Sequence, residues 1–525
     1  MKKFISKSVL YITAASLFTV GCSEDLLDDI NKDMNNPTEV PAKNILADVI
    51  VSTAVRSVGG DLNTYMTTFV EHETGIYGQL YNAEIREGII APSTFNNSWN
   101  NIYENIKNTR IAIDLCSEGG AQEGNFTTRG IAQVLLAINS AILTNTFGDV
   151  PYSQAAILKE DKTPMYMTPK VDKQEEIYTE IMRLLDAAIV DLPKGDTHAS
   201  GGMRDYDFLY GGNADLWLKL AYGLKARYTM QLLNRSANKT DDLNKVIEFV
   251  NNSFASASEQ AAFNVYDASN LNPLFDFQWS REGLAASESL SKKLIERNDP
   301  RLRRVFVDKD WTRVENQTAA NFLMAPNGNP EQKQGYYNTS IFVYAQTAST
   351  LLMSYHELLF LKAEAQVRLN DNIASQVTLK DAIVAAIANT EASVVAALNA
   401  PNVLQNGGLT ETTSEITETE ANSYFANNVL PLFTANPLKE IMIQKYLATF
   451  GASGETPIAY NDIRRLRALG EGDFIQLANP DNTSKFPLRC VYGSSDTTTN
   501  INVKNLTGDG TYIYTENVWW AGGTR

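Results

Sequence analysis

Three histidines, His72, His198 and His356, are all the chain offers for imidazole chemistry, and none has a partner at a catalytic or metal-binding spacing. His356 opens His-Glu-Leu-Leu-Phe, which begins like the zinc-binding His-Glu-x-x-His helix. Phe360 stands where the second imidazole must be, so one helix face cannot present two nitrogen ligands. His72-Glu73 is followed by no histidine four residues on. Around Ser453, Gly451-Ala452-Ser453-Gly454 misses the nucleophile-elbow spacing by one position. Gly470-Glu471-Gly472 lacks the third glycine and the Lys-Ser/Thr pair that would cradle a phosphate. Carboxylate chemistry remains, since a glycosidase needs only two acids about 5 to 10 Å apart. The 61 acidic residues cannot be paired by spacing. The reading is a protein that is not an enzyme and uses neither cofactor nor metal.

Capture of a sugar calls for other residues. Its apolar C–H faces stack on aromatic rings, and its hydroxyls pair with Asn, Asp, Gln or Arg. Aromatics on buried helix faces are core by default, so those in irregular stretches are the candidates. They are Tyr77 and Tyr81, with Gln79, Asn82 and Arg86, and further on Trp279, Trp311, Tyr336 and Tyr337. Trp99 reads as core and Trp519-Trp520 as a packed C-terminus. The formal charge of -16, from 61 acidic against 45 basic side chains, repels nucleic acid in the mean field and excludes it as a partner. Beyond Cys22 only Cys116 and Cys490 remain, too few for a zinc cluster or a Cys-x-x-Cys pair; one disulfide and two buried thiols are both open.

The elements that must position these residues are helical. Trp99, Ile102, Tyr103, Ile106, Ile111 and Ile113, then Ile131, Val134, Leu135, Ile138, Ala141 and Ile142, recur mostly at three- and four-residue steps, which predicts an antiparallel helical pair. The pattern repeats over 176–192 and 214–233, over 356–369 with 378–388, and from 437 to 450. Recurrence after thirty-odd residues predicts a mostly α fold of stacked tetratricopeptide-like helix pairs. Between them, 236–280, 311–347 and 389–422 read as long irregular loops. In Phe147-Gly148-Asp149-Val150-Pro151-Tyr152, Gly148 is placed to end a helix, Asp149 to bond a nearby backbone N–H, and Pro151 to force Val150 extended. Arg464 and Arg465 are expected to brace carboxylates such as Asp462, and Asp299-Pro300-Arg301 to form a turn with a bracing guanidinium.

At the N-terminus, Lys2, Lys3 and Lys7 precede an apolar run from Val9 to Val20 that ends at Gly21-Cys22. This reads as a signal peptide over 1–21, cleaved before a cysteine that is then acylated. Residues 22–40 read as a lipidated acidic linker, carrying Ser23-Glu24-Asp25, Asp28, Asp29 and Asp33, and 41–525 as a single helical domain.

Several segments together resemble the SusD/RagB family of nutrient-binding outer-membrane lipoproteins. They occur in the family's order: "WNNIYENIKNTR", "NTFGDVPYSQA", "TPKVDKQEEIYTEIMRLLDAAIVDLP", "DFLYGGNADLWLKLAYGLKARYTMQL", "RNDPRL", "SYHELLFLKAEAQVRL", "IMIQKYLATFG", "YNDIRRL", "KFPLRCVYG" and "VWW". Ser23-Glu24-Asp25 is similar to the export tract of surface lipoproteins of Bacteroidetes-type bacteria. Asn461-Asp462 before Ile463, and Gly493 after Tyr492, depart from the pattern and point to a divergent subfamily. The resemblance implies a SusD-like fold, a palmitate-type anchor at Cys22 and exposure on the outer-membrane surface. It further implies a SusC-like TonB-dependent transporter as partner and a glycan as cargo. A RagB-like peptide cargo and a helical scaffold for a surface complex are the alternatives; an exposed cluster of loop aromatics argues against the scaffold.

Overall fold

The structure, a computed structural model, describes residues 40–159, 161, 163–314 and 323–525. The expected signal peptide, Cys22 and the acidic tract after it lie outside the described residues. Helix α1 (Ala42–Ser52) runs into a π-helical turn, Thr53–Val58, and α2 (Asp61–Phe69) follows Gly59-Gly60. Strand β1 (Glu73–Gly75) leads into the short helix α3 (Gly78–Glu84). The first expected helical pair is then realised by α4 (Asn96–Cys116) and α5 (Phe126–Phe147), which pack against each other. Helix α4 buries Trp99, Ile102, Ile106, Thr109, Ala112 and Cys116, one stripe at three- and four-residue steps. Helix α5 is apolar enough to cross a membrane, yet 94% of its apolar window is buried between protein elements, so it is a core helix.

The turn after α5 does more than the sequence predicted. Gly148 ends the helix at φ +80°, and the Arg489 guanidinium occupies the space a Cβ would need. Asp149 bonds no local N–H. Its carboxylate accepts from the backbone N–H of Gln174 at 2.8 Å and from Lys173 Nζ at 3.0 Å, which caps the first turn of α6 (Gln174–Asp191). Val150 and Pro151 pair as an antiparallel ribbon with Asp172 and Val171.

Helix α6 packs on α7 (Ala214–Gln231), and α7 on α8 (Lys239–Asn251). Strand β2 (Ala261–Phe263), helix α9 (Pro273–Arg281), strand β3 (Leu284–Ala286) and strand β4 (Thr350–Met353) come next. β1 pairs with β3 and β2 with β4. Helix α10 (Tyr355–Arg368) packs on α8, on α11 (Asn372–Leu398) and on α12 (Pro437–Ala448), while α13 (Thr456–Ala468) returns to α2. Each element of the stack covers the apolar stripe of its neighbour, as the periodicity requires.

Two of the three stretches expected to be irregular are corrected. Residues 236–280 contain α8 and all but the last residue of α9; Leu243, Val246 and Val250 give α8 a stripe that α7 and α10 cover. The helix expected to stop at Ala388 continues to Leu398, and 389–422 further holds the short helices Pro401–Gln405 and Glu418–Tyr424. The described part of 311–347 is irregular apart from Thr339–Ser340 and a 3-10 turn, Ile341–Tyr344.

Arg465 braces Asp462 at 2.9 Å as expected. Arg464 does not brace a carboxylate: it lies 4.0 Å from the Tyr460 ring centre and 4.8 Å from that of Trp520, and donates to the carbonyls of Leu488 and Asn145. Arg301 grips Asp299 at 2.9 and 2.6 Å across the predicted turn. Cys116 and Cys490 are both free and buried, and burial pushes each thiol up to about 12.

Candidate functional site

Helix α9 starts where Asn272 accepts the Leu274 N–H at 3.0 Å and Pro273 takes the first helical position. Its helical period then splits its side chains between two faces. Pro273, Asp276, Phe277 and Arg281 wall an open groove of about 900 Å³. Gln278, Trp279 and the following Glu282 wall a smaller hollow of about 220 Å³.

The groove is polar. Arg56 enters from the π-helical turn and Asp61 from α2; Gln79 comes from α3, and Asn97, Asn100 and Asn101 from the first turns of α4. π-helical turns recur at functional sites because the wider coil re-aims side chains. The groove's two aromatics show almost no ring: Tyr65 is 6% and Phe277 9% exposed, and Arg281 covers Phe277 at 4.9 Å. The walls therefore offer donors and acceptors rather than a stacking face.

The hollow is aromatic. Trp279 stacks on Phe275 with centroids 5.1 Å apart and 18° between planes; Trp311 lies 6.0 Å from Trp279, and Tyr344 5.4 Å from Trp311. Gln278, Glu282 and Asn406 supply polar groups among the rings. Burial and the Glu282 charge raise the Tyr344 hydroxyl, which stays protonated as a donor. Trp311 and Glu282 both hold left-handed backbone, φ +63° and +45°. Such strain in residues other than glycine costs on the order of 1–3 kcal/mol and concentrates at ligand clamps. Inclined rings with polar groups at their margins suit the apolar face and hydroxyl edge of a pyranose.

The structure distributes the residues nominated by sequence unevenly. Gln79 lines the groove, and Trp279 and Trp311 line the hollow. Tyr77 precedes α3 and is 46% exposed; Tyr336 is 40% exposed, with Lys333 5.1 Å above its ring. Gln334 donates to the Arg281 carbonyl at 2.7 Å, so the loop carrying Tyr336 sits at the C-terminal end of α9. Tyr81 is half-buried and Asn82 exposed on α3, and neither lines the two concavities. Two residues are corrected. Arg86 is buried 5.4 Å from the Phe69 ring and bonds the Ala83 carbonyl and Asn482, so its charge serves the fold. Tyr337 is buried against Ile76, Ala285 and Ala325, its hydroxyl accepting the Glu331 N–H at 2.8 Å. Sequence reasoning missed Tyr344, Glu282, Arg281, Asp276, Arg56 and the Asn97–Asn101 cluster. The one available signal was Arg281-Glu282, two residues beyond Trp279.

The residues of the failed motifs make structural contacts. Glu357 of His-Glu-Leu-Leu-Phe pairs with Arg227, and His356 faces Glu455 at 3.2 Å. His72 is buried against the Tyr446 carbonyl at 3.0 Å, and desolvation pushes it down to about 3. Among the described residues no group of His, Cys, Asp and Glu could hold a metal ion.

The stack of helix pairs thus presents a polar groove and an aromatic hollow on opposite faces of one short helix. The chain belongs to the SusD-like family: residues 34–492 match the family described as starch-binding and associating with the outer membrane, whose members are binding proteins. A SusD/RagB family protein from Bacteroides thetaiotaomicron is similar over 93% of this chain and 100% of its own, at 50% identity and a TM-score of 0.87. A chitin-binding protein shares the fold at 20% identity and a TM-score of 0.69, over 91% of this chain and 99% of its own. A chitin-binding SusD homolog from Flavobacterium johnsoniae does so at 16% and 0.64, over 92% and 99%. No curated protein matches this chain.

Proposed function

We propose that the protein captures oligosaccharide at the cell surface and delivers it to a SusC-like TonB-dependent transporter of the outer membrane. The observation that carries the reading is the hollow of Trp279, Trp311 and Tyr344 on the back of the helix that walls the polar groove. One sugar unit stacks in the hollow while the rest of the chain meets the Asn, Asp, Gln and Arg side chains around α9. The family's description names starch, and chitin, in the names of two neighbours, is likewise a chain of pyranose units. The mature form without its lipid should bind members of a panel of soluble oligosaccharides in calorimetry with micromolar to millimolar affinity, about -8 to -4 kcal/mol, because a delivering protein must release. A silent glycan panel with peptides binding would move the cargo to peptide.

Membrane attachment through Cys22 and exposure on the surface belong to the same reading, on the strength of Gly21-Cys22 and the acidic tract that follows. Cys22→Ala should abolish labelling by a lipid probe and shift the protein from the outer-membrane to the soluble fraction. The unmodified protein should co-purify with a large outer-membrane transporter. Retention of the variant at the surface would overturn the anchor, and a reproducibly solitary wild type would overturn the partner.

A further inference from the structure

Glu84 closes α3 and is fully buried, its carboxylate turned back across the loop it ends. Oε2 accepts the N–H of Gly75 at 3.1 Å, and Oε1 accepts the N–H of Gly328 at 2.6 Å. Gly75 is the last residue of β1, and no side chain fits there because the Leu80 carbonyl occupies the place of a Cβ. Between the two ends of this loop lie Tyr77, Gln79, Tyr81 and Asn82. Gly328 lies in the loop that leads to Lys333 and Tyr336 and bonds α9 through Gln334. One carboxylate thus ties together the two segments that bring Gln79 to the groove and Tyr336 to the end of α9. Neighbours hold the clasp in place without taking its oxygens: Asn479 donates to the Glu84 carbonyl at 2.8 Å, and Asn327, beside Gly328, donates to Thr74 at 3.0 Å.

We propose that Glu84 is a positioning residue for the glycan site, its ionised carboxylate clasping the 75–84 segment to the 323–337 loop so that Gln79 stays on the groove wall and the second loop stays seated at the end of α9. This rests on the glycan-capture reading above. The clasp needs both oxygens as acceptors, because each faces a backbone N–H that burial leaves few alternatives. Protonation converts one acceptor to a donor facing a donor, and that half of the clasp opens. Burial pushes the Glu84 carboxyl up to about 7, with the Arg86 charge pulling it down and Glu71 pushing it up. The Glu71 carboxylate is itself held by the N–H groups of Ala478 and Asn479, both at 2.7 Å. Asp481 and Tyr514 act in turn on Arg86. The clasp is therefore closed above pH about 7 and opens as the pH falls through that value.

Two measurements on the mature protein test this. Hydrogen exchange at pH 8 should show Glu84→Gln, which replaces one acceptor with a donor, exchanging faster over 76–83 and 326–337, while α5 stays as protected as in the wild type. Binding of maltoheptaose and the other oligosaccharides of the panel should weaken about tenfold for the wild type between pH 8 and pH 6, the swing of one group titrating near 7. Glu84→Gln should bind weakly at both values. Should the variant not fold, the wild-type pH profile decides when read beside that of Glu73→Gln, because burial pushes the Glu73 carboxyl of β1 up to about 8; a flat wild-type profile, or a swing that disappears in Glu73→Gln, overturns the proposal. Unchanged exchange over 76–83 in a folded variant overturns the clasp. Looser exchange with wild-type affinity at both pH values reduces Glu84 to a structural residue. A wild type that binds no glycan, with a variant loosened in exchange, overturns the glycan reading and not the clasp.

Discussion

Replacing Arg465 with alanine should destabilise the folded protein by about 3–5 kcal/mol, the loss typical when one partner is removed from a buried ion pair. Arg465 is 1% exposed and joins α13 to α10 by gripping both oxygens of Glu364, at 2.6 and 2.7 Å. It also holds Asp462 at 2.9 Å, which Lys445 of α12 meets at 2.7 Å. Arg368 completes the cluster, 2.8 Å from Glu364 and 2.6 Å from Glu471. Glu364 has no exposure, so the missing guanidinium would leave a carboxylate short of its main partner in a low dielectric. Burial alone would raise the Glu364 carboxyl, but Arg465 and Arg368 outweigh it and hold the group far below the usual carboxylate range. A carboxyl depressed in the folded state contributes stability that is present above the unfolded value near 4.5 and lost as the pH falls below it. Chemical denaturation at pH 7 should show the lower midpoint with an unchanged slope. Arg465→Lys should recover only part, because one ammonium cannot span both Glu364 oxygens. A loss below about 1 kcal/mol would mean that this cluster does not hold the helices together.

The second large effect concerns the ligand. Trp279→Ala and Trp311→Ala should each weaken oligosaccharide binding by about 1–3 kcal/mol, roughly 5- to 150-fold in Kd, as buried aromatic hot spots do. Because the rings lie 6.0 Å apart in one hollow, the double variant should lose less than the sum. Tyr77→Ala and Tyr81→Ala should cost less, since neither ring lines the groove or the hollow. Circular dichroism separates lost binding from lost fold, a needed control because Trp279 also stacks on Phe275. Trp279→Ala and Trp311→Ala variants that both fold and bind as the wild type would remove the hollow from the site.

The sequence reading succeeded where chemistry is local and repetitive. The stripe of Trp99, Ile102 and Ile106 in α4 and the pairing of Glu357-bearing α10 with α11 follow from spacing, because a helix that must bury one face announces it every three or four residues. It failed for α8 and α9, whose thirteen and nine residues are too short to stand out among the Asn, Ser and Asp around them. The Asn238 and Asn272 caps and Pro273 were legible in principle, but caps without a long stripe are weak signals.

Within the site, aromatic residue types in weakly patterned stretches sufficed to nominate Trp279, Trp311, Tyr77 and Tyr336. They could not separate these from Tyr337, which neighbours Tyr336 yet turns its ring toward Ile76 and Ala285. Nor could they show that Arg86 lies buried beside Phe69 and Asn482, since Asn482 is about four hundred residues away. By itself, then, the sequence determined the helical stack and the failure of the histidine motifs, and it nominated a class of residue for a capture site. Only the tertiary structure decided which of those residues share a surface, with Tyr344 joining Trp279 and Trp311, and Glu84 joining two loops far apart in the chain. Periodicity reports how one element meets its nearest neighbours, whereas a binding site is an encounter between distant segments that no local spacing records.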